Sequence, residues 1–231
     1  MDWDSTITAA SGPTRCFREA QMTENTINTP SLEIRWTAVS DMENNVYLVT
    51  DRDSGARLLV DAADDWPAIR QFIGDEPVER VLTTHRHWDH IRALRDALAA
   101  TGAESAAGEY DAAAIEEETG VVITERLHHG DIITVGDVAI EIAHLRGHTP
   151  GSIALIIRDG EDTVLISGDS LFPGGPGKTW SAEDFASLMA DLRSRIFDAL
   201  PDNTAVLPGH GAPTTIGAER PHLDEWQERG W

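Results

Sequence analysis

The chain changes texture near residue 32. Before it, Thr, Ser, Asn and Pro recur with no sustained apolar period, which predicts a flexible extension over 1–31 outside the main core. From Leu32 onward, short runs rich in β-branched and aromatic residues are punctuated by Asp, Asn and Gly, the pattern of strands separated by turns. Three such runs fall at 32–39, 46–50 and 57–61. Asp64-Asp65-Trp66-Pro67 predicts the opening of a helix over 64–73, since early carboxylates and a proline suit a helix N-terminus. A strand is predicted over 78–84, and beyond it Ile91, Leu94, Ala97 and Leu98 recur at helical spacing.

The second half has the same texture. Strand-like runs stand at 131–135, 138–145, 152–158 and 162–167. Phe185, Leu188, Met189, Leu192 and Ile196 share one side of a helix predicted over 181–198. A strand at 204–207 and a helix at 219–229 follow. Strands mixed with helices in this order predict an α/β fold in one domain over 32–231, with helices covering two packed sheets.

Charge narrows the function classes. Eighteen Lys and Arg against 40 Asp and Glu give a net charge of −22. A nucleic-acid binder needs a basic footprint, and an anionic membrane surface attracts one, so both partners are excluded. The 41% hydrophobic content rules out a disordered acidic tail. Cys16 is the single cysteine, so no intrachain disulfide forms. The acidic opening Met1-Asp2-Trp3-Asp4 lacks the basic and apolar regions of a secretory signal, and Met22 is an alternative start. The expectation is a cytoplasmic protein acting on a small molecule, in an oligomeric state the sequence leaves open.

Candidate chemistry concentrates in Thr84-His85-Arg86-His87-Trp88-Asp89-His90, directly after a predicted strand. Imidazole nitrogen and carboxylate oxygen suit zinc and similar divalent ions. In a strand-to-helix turn, His85 and His87 project together while Asp89 and His90 diverge, which fits two adjacent ions better than one. Three more candidates stand where a strand gives way to a loop. His148 lies in Arg146-Gly147-His148-Thr149-Pro150-Gly151, Asp169 ends the apolar run Val164-Leu165-Ile166-Ser167-Gly168, and His210 lies in Pro208-Gly209-His210-Gly211. A carboxylate at the end of an apolar strand is costly unless paired or bound to metal.

With these residues in order, the chain resembles the metallo-β-lactamase-fold hydrolases, in particular their glyoxalase II-like branch. The run Gly168-Asp169-Ser170-Leu171-Phe172-Pro173-Gly174-Gly175 is similar to actinobacterial members. The resemblance implies a four-layer αββα sandwich with metals at one end of the sheets. It implies that His85, His87 and His148 bind one ion, that Asp89, His90 and His210 bind a second, and that Asp169 bridges them. Asp89 and Asp169 are then the candidate catalytic carboxylates. Two divalent ions are expected, zinc first, with iron or manganese as alternatives. Such a pair, roughly 3.5–4 Å apart, holds a bridging hydroxide near neutral pH that attacks a thioester, ester or lactone carbonyl. No Ser or Cys nucleophile is needed, so Cys16 and Ser170 are assigned no catalytic role.

Other residues carry weaker signals. Lys178 and Trp180, in the glycine-rich segment after Asp169, are candidate substrate contacts, though such a segment is equally a plain loop. Asp61 either orients a ligand loop or caps a turn. His128 and His129 suit a solvated turn, His144 packing, and His222 a structural hydrogen bond. Tyr47 and Tyr110 are the only tyrosines, and both precede the C-terminal region that would clamp glutathione in glyoxalase II, so another thiol carrier or a broader esterase or lactonase is expected. The alternative is an oxidoreductase similar to the persulfide dioxygenases of this fold, which use one iron.

Overall fold

Strands with one residue in two facing inward assemble into two stacked sheets. The computed structural model describes residues 25–230, so Cys16, Met22 and most of the expected extension lie outside the described residues. The first sheet contains β1 (Thr26–Asn28), β2 (Leu32–Val39), β3 (Asn44–Asp51), β4 (Arg57–Val60), β5 (Arg80–Thr83), β6 (Glu104–Gly108) and β7 (Glu125–Leu127), in that spatial order. Its first four strands pair antiparallel and the rest parallel. Each parallel step needs a crossover, supplied by α1 (Trp66–Ile73), then α2 (Trp88–Ile91) with α3 (Leu94–Thr101), then α4 (Glu109–Thr119).

The second sheet contains β8 (Ile132–Val135), β9 (Val138–His144), β10 (Ile153–Asp159) and β11 (Asp162–Gly168). A small ribbon of β12 (Leu171–Phe172) and β13 (Gly175–Pro176) stands apart from it. The helix α5 (Ala182–Asp191) then leads to β14 (Ala205–Pro208), which pairs parallel with β11, and β15 (Thr214–Thr215) closes the edge. Last come α6 (Ile216–Glu219) and α7 (Leu223–Arg229).

Three buried clusters define four layers. Between the sheets, Ile34, Tyr47, Leu58 and Val60 meet Ile140, Leu155, Ile157 and Ile166. The alternate residues Val46, Leu48 and Leu59 face outward under α1, α3 and α4, while Ala154, Ile156 and Leu165 lie under α5 and α7. Burying each Leu, Ile or Val side chain contributes about 1.5–3 kcal/mol. A sheet covered on both faces therefore gives strands buried at every position, as in β4, whose Leu58-Leu59-Val60 run is continuously apolar. The expected αββα sandwich is the observed one.

Several boundaries differ from expectation, each for a local reason. Residues 26–31, expected to lie in an extension outside the core, belong to it: Ile27 is fully buried and β1 pairs with β2. The Asp159 carboxylate reinforces this by accepting from Thr29 Oγ1 and from Ser31 N and Oγ. Helical periodicity from Ile91 is interrupted, since Arg92 N and Ala93 N donate to Ala63 O and Ala62 O, which separates α2 from α3. The helix expected over 181–198 widens into a π-helical stretch at Leu192–Phe197. The last helix is divided by one 3₁₀ turn, Arg220–His222, where Pro221 has no N–H to continue the ladder. The β6–α4–β7 segment was not expected at all. No helix among the described residues is long and apolar enough to cross a membrane.

Candidate metal centre

The loops that follow β5, β9, β11 and β14 converge at one end of the sandwich. They bring together all seven residues expected there, and β3 adds an eighth at its first position, Asn44. Asp169 lies at the middle. Its Oδ2 is 3.9 Å from His85 Nε2, 3.5 Å from His148 Nε2 and 3.4 Å from His210 Nε2, and its Oδ1 is 3.5 Å from His90 Nε2. His85, His87 and His148 form one group whose ligand atoms lie within 4.8 Å of one another, and Asp89, His90 and His210 form another.

Close backbone approach makes this convergence possible. A Cβ on Gly209 would collide with Asp169 Oδ1, so only glycine lets the His210 loop close over the carboxylate. Gly168, at φ +50°, turns the chain so that Asp169 leaves β11 toward the cluster, and its close neighbour is Thr84.

Hydrogen-bond partners fix the tautomers of four rings. Asp61 Oδ2 accepts from Thr84 Oγ1 at 2.8 Å and from His90 Nδ1 at 2.9 Å, while Oδ1 accepts from Thr84 N at 2.7 Å. The single hydroxyl proton of Thr84 is thus committed, and its oxygen accepts from His85 Nδ1 at 3.1 Å. His148 Nδ1 donates to Lys178 O at 2.7 Å, and His210 Nδ1 donates to Met42 O at 2.8 Å. In the neutral rings every Nε2 therefore keeps a lone pair, and all four lone pairs point at Asp169 and at each other. His85 Nε2 lies 3.1 Å from His87 Nδ1, and His90 Nε2 lies 3.2 Å from His210 Nε2. His148 Nε2 and Asp169 Oδ1 are buried with no hydrogen-bond partner.

Electrostatics divide the rings into two kinds. Burial pushes His85 well below the usual imidazole range, His87 down to about 4, and His148 downward, so these three are neutral. Burial also opposes charge on His90, but Asp61 and Asp169 overcome it and push the ring up to about 10. His210 is likewise pushed up to about 10 against its burial, by Asp169 and Asp89. Both carboxylates are held well below their usual range, against the cost of burial, by His210 and His90. Two Nε2–H groups cannot face each other at 3.2 Å, so protons cannot supply all the positive charge this field demands. The donor set fits divalent cations: neutral imidazoles, ionised carboxylates, and buried donor atoms left without partners.

Residues around the cluster hold it in place. Asp61 carries out the loop-orienting role, at φ +59°, a conformation aspartate tolerates. Fully buried Asp111, at the start of α4, accepts from Arg86 N, Thr149 Oγ1 and Gly151 N, and so ties the His85 loop to the His148 loop. Asn45 donates to Pro208 O and Gly211 O and, together with the Tyr47 hydroxyl, clamps the His210 loop. Sequence reading missed Asp111, Asn44 and Asn45. The usable signal for the pair was two asparagines opening the apolar strand Val46-Tyr47-Leu48-Val49, where buried amides need partners.

Trp180 stands at the rim, 63% exposed, with its ring 6.2 Å from that of His87 and its Nε1 donating to His148 O. Lys178 Nζ lies 4.3 Å over the Trp180 ring, while its backbone carbonyl serves His148. Met42 is exposed, and the half-buried Phe172 ring lies 6.4 Å from that of His210. His144 and His222 are outside the cluster: one stacks on Tyr110 and meets Pro150 O, the other stacks on Trp226 and meets Glu225. His128 and His129 are exposed in a turn.

Comparison with known proteins gives the same frame. Residues 40–210 match the family model of the metallo-beta-lactamase superfamily, a span from just before Asn44 to His210. A hydroxyacylglutathione hydrolase, GloC of Haemophilus influenzae, is 29% identical over 82% of this chain and 95% of its own length. Among solved structures, the BLEG-1 B3 metallo-beta-lactamase matches at TM-score 0.69 and 27% identity, over 82% of this chain and 97% of its own. ETHE1 from Myxococcus xanthus matches at TM-score 0.68 and 26% identity, covering 82% of each chain. TTHA1623, described in a di-iron-bound form, matches at 0.61 and 28% identity, over 80% and 96%. The histidine-rich loop after β5, the three further strand-end ligands His148, Asp169 and His210, and strands β3 to β14 of the sandwich lie within the matched span, and the chain belongs to the metallo-beta-lactamase superfamily.

Proposed function

We infer that this protein is a binuclear metal-dependent hydrolase acting on a thioester, ester or lactone carbonyl. The observation that carries this reading is the convergence of four imidazole Nε2 atoms on one buried carboxylate. In this reading His85 Nε2, His87 Nδ1 and His148 Nε2 hold one ion, Asp89, His90 and His210 hold the second, and Asp169 faces both. Zinc is the expected ion, with iron or manganese as alternatives. Bound in this way, the ions supply Lewis acidity toward a carbonyl oxygen and a water acidified to near neutral pH.

The chain itself supplies position. Asp61 and the carbonyls of Lys178 and Met42 hold the rings so that their lone pairs meet. Trp180, Phe172 and Met42 surround the opening and offer an apolar seat to the acyl portion of a substrate. Lys178 presents the cation of the rim to a substrate carboxylate. Ser170 is only 1% exposed, which keeps its hydroxyl out of reach as a nucleophile. The similarity to GloC supports a thioester, while the lack of a tyrosine after Tyr110 favours a carrier other than glutathione.

A second reading is a one-iron oxidoreductase, the alternative implied by the resemblance to the persulfide dioxygenases of this fold. Elemental analysis of the purified protein, with a panel of thioesters, esters and lactones run on the same sample, separates the two. Two ions per chain with carbonyl turnover is the expected result. One iron per chain with oxygen consumption on a persulfide would replace the hydrolase by the second reading.

A further inference from the structure

Asn44 sits deeper in the cluster than a neighbouring residue needs to. Its side chain is fully buried. The Nδ2 atom lies 3.0 Å from Asp89 Oδ2, 3.5 Å from His90 Nε2 and 3.5 Å from His210 Nε2. Those three atoms are themselves 3.2 Å (His90 to His210), 3.3 Å (Asp89 to His210) and 3.6 Å (Asp89 to His90) apart. All six edges of the figure defined by the four atoms thus lie between 3.0 and 3.6 Å. Metal bonds of about 2.0–2.2 Å to nitrogen and oxygen give a tetrahedron with edges of about 3.3–3.6 Å. The Asn44 terminus occupies the fourth corner.

An amide nitrogen is a poor metal ligand, but the amide oxygen is a good one, and a half-turn of the carboxamide exchanges them in place. The surroundings accept either orientation. At present Ser40 Oγ donates to Asn44 Oδ1 at 2.7 Å while itself accepting from Met42 N at 3.0 Å. After the half-turn, Nδ2 donates to the same Ser40 oxygen, which has a second lone pair for it. We propose that Asn44 is a protein donor of the Asp89, His90 and His210 site in addition to the bridging Asp169: its amide oxygen faces the ion when the site is filled, and its amide nitrogen bridges Asp89 when it is not. Being the one amide among the donors of that site, it sets how tightly the second ion is held relative to the first. The proposal rests on the two-ion reading above.

Metal stoichiometry and stepwise affinity test it without reference to turnover. Wild type, Asn44→Ala and Asn44→Asp are each stripped and titrated with Zn²⁺ and with Co²⁺ against a chromogenic chelator, and the Co²⁺ spectra are recorded at each equivalent. The expected result is an unchanged first equivalent in all three proteins, which also shows that the variants fold. The second equivalent should weaken about 10–100-fold in Asn44→Ala and be held at least as tightly as wild type in Asn44→Asp. The second-equivalent Co²⁺ spectrum should change in Asn44→Ala. A second ion bound by Asn44→Ala as in wild type overturns the proposal. So does loss of the second ion in Asn44→Asp, which would mark the amide N–H bond to Asp89 as the feature that matters. A wild type that binds only one ion overturns the two-ion reading itself, and the Asn44 proposal falls with it.

Discussion

Replacing Asp61 by Asn removes one charge and almost no volume, yet it should disarm a ring in direct contact with it. In the wild type, Asp61 Oδ2 accepts the Nδ1–H of His90 at 2.9 Å, so Nε2 is the nitrogen that can give up its proton to a cation in the cluster. The carboxamide introduced by Asp61→Asn has one acceptor atom and one donor atom where the carboxylate had two acceptors. Its oxygen is claimed by Thr84 N, which stands 2.7 Å from Oδ1 in the wild type. The new amide nitrogen then faces His90 Nδ1, and two donors cannot share that contact. His90 must move its proton to Nε2, where it blocks the lone pair that faces His210. A hydrogen bond to a charged group contributes about 1.5–3 kcal/mol, which corresponds to about a 10–150-fold loss of affinity for whatever cation uses that lone pair. The assay is competition of stripped protein with a chelator, followed by thermal melting with and without added Zn²⁺. Asp61→Asn should fold, keep one ion and lose most of the metal-induced gain in Tm that depends on the second. Wild-type affinity for both ions in this variant would refute the tautomer argument.

Acid sensitivity should arise partly at the β1–β2 turn. Burial would raise the Asp159 carboxyl, but bonds from Thr29 and Ser31 outweigh it and hold it below its usual range. Its contribution is therefore present above the unfolded value of about 3.9 and is lost as pH falls through the lower folded value. Asp159→Asn should lower stability at pH 7 and flatten the decline between about pH 5 and 2 in denaturant melts, and an unaltered pH profile would contradict the assignment. At the rim, Lys178→Ala should raise KM for an acidic thioester several-fold with kcat little changed, because the side chain touches Trp180 and no member of the cluster. An unchanged KM for such a substrate would remove the proposed contact.

The seven cluster residues were legible because each stands where an apolar run stops, a place where a buried His or Asp has few structural reasons to occur. The strands of both sheets were legible for a related cause: runs such as Ile153–Asp159 have β-branched residues that only a covered sheet accommodates. The stretch from β6 to β7 was not. Glu104–Gly108 is a strand of small residues with almost no β-branching, and Glu109–Thr119 mixes alanine with glutamate and has no apolar stripe, so neither has a readable period. Their places come from pairing with β5 and from packing under Ile115 and Ala112. Asp111 escaped with them. Asp61 was read as either an orienting group or a turn cap, because the choice depends on where His90 and Thr84 stand in space. Asn44 was marked only by its place beside Asn45 at the head of an apolar strand, and that mark does not name its partner, because the bridge it makes is to His210, far along the chain.

The central claim is that these rings and carboxylates hold a pair of ions around Asp169. Elemental analysis of wild type beside Asp169→Ala, both loaded with Zn²⁺ and freed of excess metal, tests it most directly. The account predicts two ions per wild-type chain, a sharp drop in the variant and no carbonyl hydrolysis by it. A wild type that emerges from loading without bound metal, or a variant that keeps both ions and full turnover, would contradict it.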